Sequence, residues 1–334
     1  MTIFLLVAVI IVALAFDYIN GFHDCANSIA SVVSTKVLSP RQAVLFGAVL
    51  EATGALLGVN VAKTIGAGII ASDTITLQVI LCALITAVIW NLITWWFGLP
   101  SSSSHALIGG LLGSAYIHAG LDTINFVILF EKVIVPMFAS PVVGFCVGFT
   151  VMCAFLRLFY KMKPDVINRR FKRVQIVASG LMALSHGLND AQKTMGVITM
   201  ALVTGGVLVM PEGEFNIPIY VKLTCAVTMA MGTMSGGWKI IKTMGSKIIK
   251  LKPLSGAASD FSASSIVLLA SMFGIPLSTT HVVSTSIMGV GTALKGSGVR
   301  TNIIGNIVTA WVLTIPCCVT MSLIIYSVLK HIPH

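Results

Sequence analysis

Charge is scarce in this chain: 10% of its 334 residues are charged, and only 11 are acidic. Soluble domains carry about 25% charge, so a water-facing globular surface is excluded. Other absences narrow the class further. No segment alternates apolar and polar residues as a membrane β-barrel requires. The seven cysteines (25, 82, 146, 153, 225, 317, 318) include no CxxC pair. They lie in or beside apolar segments and read as packing residues rather than metal ligands or disulfides. Neither HExxH nor GxSxG occurs, which removes the common signatures of zinc peptidases and serine hydrolases. The opening run MTIFLLVAVIIVALAF has no basic residue before it, so it reads as a retained helix rather than a cleaved signal.

What remains is apolar. Hydrophobic residues make up 56% of the chain, and its mean hydropathy is +0.98. Several apolar runs reach the roughly 20 residues needed to cross a bilayer. These features predict an all-α polytopic membrane protein. The formal charge of +10 does not indicate nucleic acid, because the basic residues gather in short loops, as cytoplasmic loops do. Seven of the 21 lysines and arginines fall in RLFYKMKPDVINRRFKR, residues 157–173, which reads as a cytoplasmic linker.

Internal repeats set the expected architecture. GLPSSSSH (98–105) returns as GIPLSTTH (274–281), with Gly98, Pro100, Ser102 and His105 matching Gly274, Pro276, Ser278 and His281. GFHDCANSIA (21–30) matches GLNDAQKTMG (187–196), aligning Gly21 with Gly187 and Asp24 with Asp190. The expected division is a first transmembrane repeat at 1–160, a basic cytoplasmic linker at 161–173, and a second repeat at 174–334. Charge predicts that the second repeat is inverted. Lys239, Lys242, Lys247, Lys250 and Lys252 make the 239–252 loop basic, whereas its counterpart at 63–74 has only Lys63. The acidic Glu212/Glu214 loop belongs outside. Inverted repeats with substrate near the midplane are a common transporter plan. About ten transmembrane helices plus two re-entrant Pro-Ser/Thr-His hairpins are expected, with a Pro-interrupted tail (Pro136 and Pro141; Pro316) ending each half.

The polar knots suggest chemistry. Proline suits the first turn of a helix, and Ser or Thr suits its cap. The unpaired N–H groups and positive dipole end of such a terminus attract anions. Two inverted copies would converge, giving an oxyanion the dispersed donors it needs; a blander reading has the hydroxyls bonding back to their own helices. Asp24 and Asp190 carry the opposite sign. An ionised Asp at the bilayer centre costs roughly 2.5–3.5 kcal/mol, and such residues usually mark ion or proton paths. With Asn27 near Asp24, and Asn189 and Gln192 near Asp190, each forms a set of hard oxygen ligands at an expected helix break, suited to Na⁺ or to a carried proton, and Lys193 follows the second. His23 and His186 read as hydrogen-bonding neighbours. Glu51 and Asp260 are acids in apolar surroundings that could snorkel from an interface, and Glu131-Lys132 reads as an internal or interfacial pair.

GFHDCANSIASVVSTK, GLPSSSSH, SHGLNDAQKTMG and GIPLSTTH resemble the inorganic phosphate transporter (Pit/PiT) family, specifically its short bacterial low-affinity members. The resemblance spans both halves in order. It implies an inverted-repeat bundle in which two re-entrant hairpins and two broken helices surround phosphate and its coupling cations. It further implies that Ser102, Ser103, Ser104, Ser278, Thr279 and Thr280 contact phosphate, while Asp24, Asn27 and Asp190 handle cations, Na⁺ among them. Glu51 matches a family glutamate near the path, and Asp260 stands where some members have glutamate. Sodium-coupled members repeat the first-half asparagine in the second half, where this chain has Lys193. An ammonium there replaces a bound cation or draws in the anion, which favours H⁺ coupling over Na⁺ or uptake of a metal–phosphate complex. The expected cargo is inorganic phosphate, with arsenate or a divalent metal–phosphate as variants. The expected setting is the lipid bilayer of a bacterial cytoplasmic membrane, without cofactor or nucleic acid, and a homodimer is allowed. A permease for sulfate or another tetrahedral oxyanion is the alternative, followed by an intramembrane hydrolase.

Overall fold

The computed structural model describes residues 2–67, 75–211, 215–294 and 300–330. Glu212/Glu214 and most of the 63–74 loop, both used above to orient the chain, lie outside those residues. The described chain is helical, with no strand. Its first half runs α1 (Thr2–Ser34), α2 (Pro40–Leu56), a short α3 (Asn60–Ala67), α4 (Leu77–Phe97), α5 (Ser103–Ala119), α6 (Phe126–Leu129), a π-helical turn at Phe130–Ile134, and α7 (Val135–Phe159). The second runs α8 (Pro164–Thr204), α9 (Ile219–Ser235), α10 (Trp238–Lys242), a π-helical turn at Thr243–Lys247, α11 (Pro253–Met272), α12 (Thr279–Ala293) and α13 (Thr301–Leu329).

Local chemistry explains the boundaries. Ser39 and Gln42 cap α2 reciprocally, each side chain accepting the other's backbone N–H, at 3.4 and 3.1 Å. Proline opens α2, α8 and α11, where its missing N–H has no intrahelical partner to lose. Gly98 ends α4 and Gly274 follows α11, both at φ +65°, a left-handed conformation that glycine adopts without a Cβ clash.

By length and apolarity, α1, α4, the α6–α7 tail and α13 qualify as membrane spans among the described residues. The α2–α3 pair, bent by 71°, raises four spans to five. Each tail is a single helical stretch: Pro141 lies within α7 and Pro316 within α13, without ending either. Two expectations need correction. The helices bearing Asp24 and Asp190 are not broken there, because α1 and α8 run through both positions. Gly21 and Gly187, three residues before these positions, serve helix contact. A Cβ on Gly187 would stand 2.0 Å from the Glu51 carbonyl oxygen, and one on Gly21 would stand 2.4 Å from that of Met229. Such small residues let backbones approach closely in membrane bundles. The basic linker is also not an open loop, since α8 begins at Pro164 within it.

Packing crosses the midpoint of the chain. α1 packs on α9, α2 on α8, α5 on α13, and α7 on α12. There are two main apolar clusters. Leu6, Val9, Ala13 and Phe16 of α1 join one; Cys25, Ile29 and Val32 of the same helix join the other. α8 traverses the same clusters in reverse order, with Met182 in the second and Ala191 and Met195 in the first. Asp24 and Asp190 therefore sit where each helix passes from one cluster to the other. α5 buries Ala106, Leu107 and Ile108 in the first cluster, and α12 buries Val282 and Val283 in the second. The two hydroxyl-bearing helices thus start at the junction and lead into different cores.

Candidate functional site

At that junction the starts of α5 and α12 meet α1 and α8. Ser102 and Ser278 are the N-caps, their hydroxyls accepting from the His105 and His281 N–H groups at 3.2 and 3.3 Å. Pro100 and Pro276 lie two residues before these caps, outside the first turn. Ser102 and Ser278 thus bond to their own helices as acceptors of a backbone N–H. The other hydroxyls reach across. Ser103 donates to Asp24 Oδ2 at 3.0 Å, and Thr280 to Asp24 Oδ1 at 3.3 Å. Thr279 donates to Asp190 Oδ2 at 3.1 Å. Ser104 donates to the Leu277 carbonyl at 3.3 Å, tying one helix start to the other. Behind them the His105 and His281 rings meet edge to face, 4.9 Å apart.

The remaining predicted residues divide between this cluster and its surroundings. Asn27 Nδ2 donates to the hydroxyls of Thr279 and Thr280 at 3.1 and 3.0 Å. Lys193 is buried; its Nζ donates to Asp190 Oδ1 and, at 3.1 Å, to the Leu277 carbonyl. Glu51 lies one step away. It accepts from Ser28 at 2.6 Å and from Thr233, and its Oε1 stands 2.9 Å from His186 Nδ1. Asn189 and Gln192 do not join the cluster. Asn189 donates to Ser271 at 2.9 Å, and Gln192 Oε1 caps α3 by accepting from Val61 and Ala62 N–H at 2.8 and 3.2 Å. Asp260 is buried on α11, where it accepts from Ser31.

Two histidines matter more than the sequence suggested. His186 Nδ1 faces Glu51, while its Nε2 lies 3.1 Å from Asp190 Oδ2 outside hydrogen-bond geometry, so one imidazole stands between two carboxylates. His23 sits 2.7 Å from Asp24 Oδ1 and 3.1 Å from Thr94 Oγ1. The i, i+4 spacing of His186 and Asp190 puts them on one helix face, and was the available signal. Nothing in the sequence placed Glu51 opposite. Asp24, His186 and Asp190 could each direct one ligand atom to a shared point, those atoms lying within 4.8 Å of one another. This is a donor set for a cation, already partly neutralised by Lys193. The hydroxyls and helix starts beside it form a donor set for an anion.

A site pairing anion donors with cation acceptors inside a membrane bundle is what a coupled transporter needs. The phosphate transporter family profile matches residues 20–322. This chain belongs to the phosphate transporter family. It is 44% identical over 332 residues to a probable low-affinity inorganic phosphate transporter of Bacillus subtilis (strain 168), covering 98% of both chains. It is equally identical, over 96% of each chain, to one of the same description from Rhizobium meliloti (strain 1021). A solved structure described as the sodium-dependent phosphate transporter superposes with a TM-score of 0.88 at 27% identity, covering 98% of this chain and 100% of that one. As a member of this family the chain is an integral membrane transport protein and not an enzyme.

Proposed function

We propose that the chain takes up inorganic phosphate across a bacterial cytoplasmic membrane by symport with protons. The observation that carries this reading is that Ser103, Thr279 and Thr280 give their hydroxyl hydrogens to Asp24 and Asp190. A carboxylate that takes a proton or cation no longer holds those hydroxyls, which can then turn to the phosphate oxygens. The same neutralisation removes repulsion: two like charges 4 Å apart oppose each other by about 4 kcal/mol at an effective dielectric of 20. Phosphate binding and cation binding then favour one another, as symport requires. Ser102, Ser278 and Ser104 orient the two helix starts, whose N–H groups supply the remaining anion donors. Lys193 occupies the position where a second cation would sit and leaves the proton as coupling ion, in contrast to the sodium dependence stated for the structural neighbour.

The test is phosphate binding and uptake in proteoliposomes. Ser103→Ala and Thr279→Ala are each expected to weaken phosphate by about 1–3 kcal/mol, roughly 5- to 150-fold in Kd. Unchanged kinetics in both variants would take these hydroxyls out of the site. Sulfate uptake matching phosphate uptake would reassign the cargo.

The opposite order in which α1 and α8 cross the two apolar clusters supports halves at 1–160 and 174–334 that are inverted copies, with the 161–173 stretch cytoplasmic. The exposed Lys63 and Lys242 then belong on opposite sides of the membrane. In a protein with its native cysteines replaced, Lys63→Cys is expected to react with an impermeant thiol reagent from outside only, and Lys242→Cys from inside only. Labelling of both from one side excludes the inverted arrangement.

A further inference from the structure

Two turns before Asp24, α1 buries a carboxylate that the phosphate site does not use. Asp17 is 0% exposed, and among the described residues neither of its oxygens has a hydrogen-bond partner. Seven residues are close to two whole helical turns, so Asp17 projects from the same side of α1 as Asp24, about 10 Å along the axis. Its neighbours Phe16 and Ala13 belong to the first apolar cluster. From α8, Thr194 approaches closely enough to interact with the carboxyl, though outside ordinary hydrogen-bond geometry; its hydroxyl is buried and has no other partner. Asn20, one turn from Asp17 toward Asp24, buries an unpartnered Oδ1. The titratable groups facing Asp17 are Asp190 from α8 and the Cys225 thiol from α9.

An ionised carboxylate in such a place needs fixed donors, a metal cation or a proton. Among the described residues none donates to its oxygens in hydrogen-bond geometry, and the ammonium of Lys193 is held by Asp190 and the Leu277 carbonyl. Hard metal cations take about six oxygen ligands, whereas one carboxylate, one hydroxyl and one amide offer four at most. A proton needs one. We infer that Asp17 is a proton-binding site on the coupling path, in series with the phosphate site; this rests on the proton-symport reading above. Thr194, beside Asp17, is four residues and one turn from Asp190 on the same face of α8, which places Asp17 next to the phosphate site.

The experiment uses the full-length protein in proteoliposomes with a trapped pH dye. Phosphate–phosphate exchange at equal pH needs no net proton movement, whereas uptake driven by a pH gradient does. Asp17→Asn is expected to keep exchange within about twofold of wild type while gradient-driven uptake and proton entry fall at least about tenfold. Asp17→Glu is expected to keep coupled uptake with a shifted pH midpoint, which also covers the case in which the asparagine variant fails to fold. Exchange and uptake falling together in a folded Asp17→Asn, uptake that does not fall, or an unshifted midpoint in Asp17→Glu overturns the assignment. Absence of phosphate exchange in wild type would instead remove the phosphate reading, so the two failures are distinguishable.

Discussion

Replacing Lys193 with asparagine is expected to make phosphate uptake respond to sodium. Lys193 and Asn27 occupy matching positions three residues after Asp190 and Asp24. The Lys193 ammonium is buried against Asp190 and cannot diffuse away. At 4 Å and an effective dielectric of 20, its attraction for Asp190 is about 4 kcal/mol, enough for a tethered cation to exclude dissolved Na⁺. Asparagine removes that occupant and supplies an amide oxygen. Uptake in Lys193→Asn is expected to rise at least about tenfold on adding a sodium gradient, and Na⁺ is expected to raise its melting temperature, as a ligand of the folded state does. Wild-type uptake driven by a sodium gradient and indifferent to pH would defeat this account of Lys193. So would a Lys193→Asn variant that folds, transports and ignores Na⁺.

Removing the other member of the pair is expected to damage folding most. Asp190→Ala leaves an ammonium buried with one backbone carbonyl and no carboxylate, and stranding one partner of a buried ion pair typically costs 3–5 kcal/mol. That is a large part of an ordinary stability of roughly 5–15 kcal/mol. Lys193→Met in the same chain removes the stranded charge at similar volume, so the double variant is expected to recover much of the loss while remaining inactive. Thermal unfolding of purified proteins in detergent compares the two. If the double variant is no more stable than Asp190→Ala, the pair is not what stabilises this region.

The membrane class and the polar positions were legible in the sequence because both are written in residue type. Scarce charge and long apolar runs require a bilayer, and a doubled Pro-hydroxyl-His motif stands out from such a background. Contacts between distant positions were not legible. Gly21 and Gly187 are constrained by carbonyls of α9 and α2, which their neighbours in the chain do not reveal. Gln192 looks like a cation ligand beside Asp190, yet its acceptor is taken by the start of α3. Asp17 belongs to no repeated motif, and its isolation only shows once Thr194 and the first apolar cluster close around it. His186 acquires its importance from Glu51, 135 residues away in sequence.

The exchange of packing partners between the halves has a consequence for how the protein is made. α1 rests on α9, and α2 on α8, so neither has its partner when it leaves the ribosome. α1 ends at residue 34 and α9 at residue 235, an interval of about 10–40 s at ordinary synthesis rates of roughly 5–20 residues per second. Through that time Asp17, Asp24 and Glu51 are in the nascent chain while the helices that bury them are still unmade. Each unsatisfied acid at bilayer depth is worth roughly 2.5–3.5 kcal/mol against insertion. The leading helices must therefore wait beside the insertion machinery or at the water interface until the second half arrives to enclose them.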